Sequence, residues 1–101
     1  MATTTKALFR GAATTTVGTT LYTVPSATTT VITNIVVVNT AASAATFDLA
    51  LDGVKLATTQ AIAANSSAYF DLKQVLATTK VIAGGASAVT VNFHLSGVEI
   101  S

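Results

Sequence analysis

The sequence predicts an all-β protein: an antiparallel, jelly-roll-like β-sandwich of about eight short strands with at most one short helix. Three observations lead there. The run TVITNIVVVN at residues 30–39 is dominated by β-branched side chains, which fit a pleated, packed surface better than a helix. Phe47, Leu49 and Leu51 alternate with Asp48, Ala50 and Asp52, the period of two that a strand with one buried face requires. Turn-forming residues recur at short intervals along the chain, at Pro25, Asp52-Gly53, Asn65-Ser66-Ser67 and Gly84-Gly85, the spacing expected of a sandwich or jelly roll. A chain of 101 residues suits one domain, here residues 6–101 behind a polar, flexible arm at residues 1–5.

In order, residues 6–13 read as a first strand, with Leu8 and Phe9 on opposite faces, and residues 14–18 as a loop. Residues 19–24 form a second strand that Pro25 ends, because proline cannot donate to a ladder. Residues 25–29 turn the chain into the strand 30–39. Apolar residues on both faces of its second half predict a central strand covered on both sides. A small-residue connection at 40–45 leads to the strand holding Phe47, Leu49 and Leu51. Asp52-Gly53 closes a two-residue hairpin, since that pair accepts the positive φ such turns need. Counting outward pairs Leu51 with Val54 and Leu49 with Leu56, which sets Phe47, Leu49, Leu51, Val54 and Leu56 on one face.

Residues 57–59 are a link to a second hairpin, 60–64 with 68–72. A three-residue turn there pairs Ile62 with Phe70, whereas a one-residue slip would split the apolar set between faces. Leu72, Val75 and Leu76 fall at helical spacing behind Asp71, predicting about one helical turn over 71–76 that caps an end of the sandwich. Residues 78–83 form a strand that Gly84-Gly85 breaks. The last strand covers 88–100, and at Gly97 its apolar phase shifts, the sign of a β-bulge or of a strand changing sheets.

Composition narrows the function. Half of the residues are hydrophobic, but only 6% are aromatic and 9% charged, against about 25% charged in ordinary globular domains. The surface is therefore built of threonine, alanine, serine and asparagine, and such a surface suits coverage by partners. Two sheets also leave edge strands, and few charges lie along them to guard against pairing. A net charge of +1 with scattered basic residues, Lys6, Arg10, Lys55, Lys73 and Lys80, gives no nucleic-acid footprint. The chain has no cysteine, hence no disulfide framework or thiolate metal site. No apolar run approaches the roughly 18–20 residues of a membrane span, and the N-terminus lacks the pattern of a signal peptide.

Chemistry-bearing residues are sparse. His94 is the one histidine and shares a strand face with Asn92 and Ser96; no motif places an activated nucleophile and an orienting carboxylate beside it. Asp48, Asp52, Asp71 and Glu99 are all the carboxylates. Asp48 and Asp52 on one strand face form an ordinary solvated pattern, and no loop gathers the roughly six oxygens a calcium or magnesium ion needs. Gly84-Gly85 lacks the spacing of a phosphate loop. Tyr22, Tyr69 and the four phenylalanines sit within apolar strand patterns and read as core rather than as a carbohydrate groove. The expectation is no enzyme, no cofactor, no metal, and no catalytic or cofactor-binding residue.

The segments LYTVP (21–25), TNIVVVNT (33–40), FDLALDGV (47–54), FDLKQVL (70–76) and VNFHLSGVEI (91–100) resemble small β-rich virion structural proteins of tailed bacteriophages, of the capsid decoration or cement type. Ser26-Ala27 stand where that pattern usually has a glycine after the proline. The resemblance covers most of the chain from about Thr19 and carries no site motif. It implies a non-enzymatic protein on the capsid surface of the virion, made in the host cytoplasm. Its partners would be the major capsid protein or another virion protein, and its state a homo-oligomer, a trimer above others. The alternative it leaves open is a tail, neck or fibre component that contacts glycans.

Overall fold

The computed structural model describes residues 3–16 and 18–101. It contains eight strands and, among the described residues, no helix: β1 (Thr3–Ala12), β2 (Thr20–Thr23), β3 (Thr29–Asn39), β4 (Ala45–Leu51), β5 (Val54–Ile62), β6 (Ser67–Leu76), β7 (Val81–Ala86) and β8 (Val91–Ile100). They form two antiparallel four-stranded sheets, ordered β1-β8-β3-β6 and β2-β7-β4-β5. The pairs β1·β8, β2·β7, β3·β6 and β4·β5 are those of one long hairpin whose tip is Asp52-Gly53. Rolling that hairpin so that β3 meets β8 and β4 meets β7 gives an eight-stranded jelly roll.

The tip is the turn read from the sequence. Asp52 and Gly53 have φ of 54° and 75°, the two positive values of a type I′ turn, and Leu51 faces Val54. Beyond that the register departs from the count. Leu49 lies opposite Ala57, and shifts on either side of it insert extra residues into β5. Thr59, expected in a link, sits inside β5 with a left-handed φ of 46°. The bulge at Leu56 turns that residue off the core, while Val54, still opposite Leu51, is 70% exposed beside the hairpin tip.

Inward residues of both sheets make one core, with Ile32, Ile35, Val37, Phe93 and Leu95 from the first sheet and Phe47, Leu49 and Ile82 from the second. Phe47 crosses the interior and meets Phe70 and Phe93 edge to face, with centroids 6.0 and 6.3 Å away, a favourable aromatic geometry. A bulge between Ala7 and Phe9 brings both Leu8 and Phe9 against this core, rather than onto opposite faces. β3 is interior to its sheet, but only its inner face is fully covered. Val36 and Val38 are half-buried, because a two-layer sandwich gives the outer face lateral neighbours alone.

Three further expectations are corrected. Residues 71–76 are strand, not helix: Leu76 pairs with Thr30 and Val75 with Val31, so Leu76 is buried while Val75 points out. Residues 60–64 and 68–72 do not pair; β5 and β6 lie in different sheets, and residues 63–66 cross between them with Asn65 at φ 51°. Gly84 and Gly85 continue β7 rather than break it, opposite Leu49 and Asp48. At the N-terminus, Thr3–Thr5 of the expected arm pair with Ile100, Glu99 and Val98; Met1 and Ala2 lie outside the described residues. The expected irregularity at Gly97 is present, but the extra residues belong to β1 and β3, which bulge against Leu95–Gly97 of a regular β8.

Candidate functional site

The residues that could carry catalysis are not brought together. His94 is half-buried on the outer face of β8, opposite Arg10 of β1 and Val36 of β3. No group of three His, Cys, Asp or Glu side chains converges among the described residues. The carboxylates are instead distributed to structural tasks. Asp48, read as solvated, is buried. The β5 bulge folds over it, so that Asp48 Oδ1 accepts the Thr59 N–H at 3.2 Å and Lys55 Nζ lies 3.3 Å from Oδ2. Asp52 pairs loosely with Lys80 at 3.7 Å.

At the hairpin-tip half of the sandwich, a polar bridge joins the two sheets. Tyr22 of β2 reaches across to β3 and β8, where its hydroxyl donates to Glu99 and lies 2.9 Å from Thr30 Oγ1. With the phenol proton committed to Glu99, Thr30 supplies the proton of the second bond. Lys6 Nζ stands 3.4 Å from both Glu99 oxygens. Burial pushes the Tyr22 phenol above its ordinary value near 10.0; the hydrogen bond to Glu99 raises it further, Thr30 pulls it back, and the Glu99 charge adds to the rise. This is an inter-sheet lock holding a neutral phenol.

Asn39 does the same at the opposite end. Fully buried, it donates through Nδ2 to Ser43 O at 2.8 Å and Ala63 O at 3.3 Å, and accepts through Oδ1 from Ala41 N and Thr90 Oγ1. One amide thus ties the β3–β4, β5–β6 and β7–β8 connections. Every buried side-chain polar atom described has a hydrogen-bond partner, so no unpaired group awaits a ligand.

What remains is surface. A shallow groove of about 340 Å³ opens between the edge strands β5 and β6, lined by Leu51, Val54, Leu56, Gln74, Val75 and their neighbours. Val75 (67% exposed) stands at its rim, and Tyr69 (74%) lies further along β6. Aromatics do not line the groove. The sequence contained the signal for this face, in the apolar Val54, Leu56 and Val75, but assigned those residues to the core or to a helix.

The molecule is therefore a jelly roll with internal polar locks and an apolar edge, and lacks a convergent reactive site among the described residues. No protein-family model matches the chain, and no curated protein matches it. Among solved structures it is similar to two crystal structures of a pentameric capsid protein isolated from metagenomic phage sequences. Identity is 18% in both, over 96% of this chain and 57% and 59% of those chains, with a TM-score of 0.35. The chain thus spans less than two thirds of those capsid chains. At that TM-score the likeness carries no residue role, and the jelly-roll assignment rests on the strand pairing alone.

Proposed function

We propose that this protein is a non-enzymatic structural component of a phage virion: a decoration or cement protein that binds the outer surface of the capsid as a homotrimer and stabilises the head lattice. The observation that carries the reading is how little free charge the surface keeps. Six of its nine charged side chains are engaged in ion pairs within the chain, Lys6–Glu99, Lys55–Asp48 and Lys80–Asp52. What faces outward is threonine, alanine and serine with exposed Val54, Tyr69, Val75 and Val89. Such a surface suits many modest contacts repeated by symmetry, where avidity replaces single strong sites. The resemblance of the strand segments to virion proteins supports the same reading.

The test is reconstitution. Purified protein is mixed with capsids assembled from the major capsid protein of its parent phage, and the particles are pelleted and imaged. Saturable binding at hundreds of copies per particle, in three-fold clusters, with a raised temperature of shell disruption, is the expected result. Failure to bind such shells removes the decoration role. Recovery at a handful of copies in virions assigns the chain to the tail or neck instead.

A further inference from the structure

We propose that the free edge of β6 is a self-complementary contact, on which a second copy of this chain docks antiparallel across a two-fold axis through Leu72, joining two four-stranded sheets into one of eight. The proposal stands on this strand and does not depend on the virion reading. β6 ends its sheet and offers ten residues of edge; its ladder with β3 shifts register between Asp71 and Gln74, but its outward residues keep a period of two from Tyr69 to Val75. Its outward side chains are Tyr69, Asp71, Lys73 and Val75, all exposed, while Ala68, Phe70, Leu72 and Leu76 turn toward the core. An antiparallel partner centred on Leu72 sets Asp71 opposite Lys73 of the second copy, and Lys73 opposite its Asp71. It sets Tyr69 opposite Val75, and Val75 opposite Tyr69. Both charge pairs are attractive and both flanking pairs are aromatic against β-branched, the combinations that stabilise neighbouring strands. An isologous two-fold contact requires this self-matching, and backbone pairing at an open edge supplies the rest.

Two independent features single out this edge. Among the described residues, Arg10, Asp71 and Lys73 are the charged side chains that make no ion pair, and two of those three are the pair β6 presents. The other edges are spoiled for pairing. β5 carries two register shifts and the left-handed Thr59. β1 bulges at Leu8 and carries Lys6 and Arg10, and β2 has four residues.

The experiment is sedimentation equilibrium on purified wild type, Asp71→Lys, Lys73→Asp and the double exchange Asp71→Lys/Lys73→Asp, with circular dichroism confirming β-structure in each. Free of capsids, where the shell's three-fold arrangement is absent, wild type is expected to associate in pairs. Each single reversal sets like charges opposite each other on both sides of the axis and weakens pairing at least tenfold; the double exchange restores it. An equimolar mixture of the two single variants is expected to pair with each other, because one then presents two lysines and the other two aspartates. That cross-pairing reports the interface even where a single variant is less stable. A wild type that stays monomeric at millimolar concentration, single reversals that associate as tightly as wild type, or a mixture of the two that fails to pair overturns the proposal. Each outcome is read without capsids and is separate from the reconstitution above.

Discussion

Gly97 occupies an inward position on β8 where β3 comes closest. A β-carbon placed there would collide with the carbonyl oxygen of Val31, and it would lie 3.0 Å from Leu8 Cδ1 and 3.3 Å from Ile32 Cα. The leucine methyl can rotate away, but two of the three neighbours are backbone of an interior strand bonded on both sides. Gly97→Ala must therefore push β3 and β8 apart, an overpacking strain of about 1–3 kcal/mol. Restricting the unfolded chain returns about 0.4–1 kcal/mol. The net loss is about 1–2 kcal/mol, and each kcal/mol moves the midpoint of a domain this size by about 4–8 °C. Thermal unfolding by circular dichroism should show Gly97→Ala melting about 5–15 °C below wild type. Gly18→Ala, whose added methyl meets nothing within 4 Å, should change the midpoint by no more than about 3 °C. Equal midpoints for Gly97→Ala and wild type would refute the close approach of these two strands.

Three further perturbations probe the turn and the two locks. Gly53→Val places a β-branched side chain at φ 75° and should destabilise by at least about 1 kcal/mol, read as a lower urea midpoint at unchanged slope. Asn39→Ala leaves the carbonyl of Ser43 and the amide of Ala41 without their partner and should cost at least about 2 kcal/mol in the same assay, with hydrogen exchange quickening in all three connections it ties. Tyr22 holds its proton more tightly folded than unfolded, so its contribution is complete below pH 10.0 and is lost as the pH rises from there through the folded value. Tyr22→Phe should lower stability at neutral pH and flatten the alkaline fall, measured as urea midpoints at about pH 8 and about pH 11.

The sequence revealed elements where side chains obey the two-face rule and misled where an edge breaks it. Phe47, Leu49 and Leu51 alternate toward one core, and the Asp52-Gly53 pair admits one kind of turn, so the inward face of β4 and the hairpin tip were legible. Val75 is apolar yet faces outward from an edge strand, and with Leu72 and Leu76 it imitates helical spacing. Leu56 deceives because a bulge that no pattern announces rotates it off the core, and Val54 because it stands exposed beside the hairpin tip. Asn65-Ser66-Ser67 suits a tight turn and a crossover equally; only the placement of β6 beside β3, far back in the chain, decides between them. The locks were invisible because each joins residues distant in sequence, Tyr22 to Glu99 and Asn39 to Thr90. The burial of Asp48 was not legible either, since it depends on the bulge at Thr59.

The wound-hairpin topology also orders the events of folding. The tip needs only two residues of closure, and once β4 and β5 pair, β3 and β6 are separated by the short connections 40–44 and 63–66. Pairing β3 with β6 brings β2 and β7 within reach across residues 24–28 and 77–80, and those in turn deliver β1 and β8. Each step closes a short loop, whereas pairing β1 with β8 first would close almost the whole chain at a larger entropic cost. The tip should therefore be formed in the transition state and the contact at Gly97 should not. Stopped-flow folding and unfolding in urea distinguishes the two sites. Gly53→Val should slow folding about fivefold for each kcal/mol lost and leave unfolding nearly unchanged, while Gly97→Ala should mainly accelerate unfolding. If Gly53→Val instead moves only the unfolding arm, the chain does not zip from Asp52-Gly53, and the order of events runs from β1 and β8 or from the core.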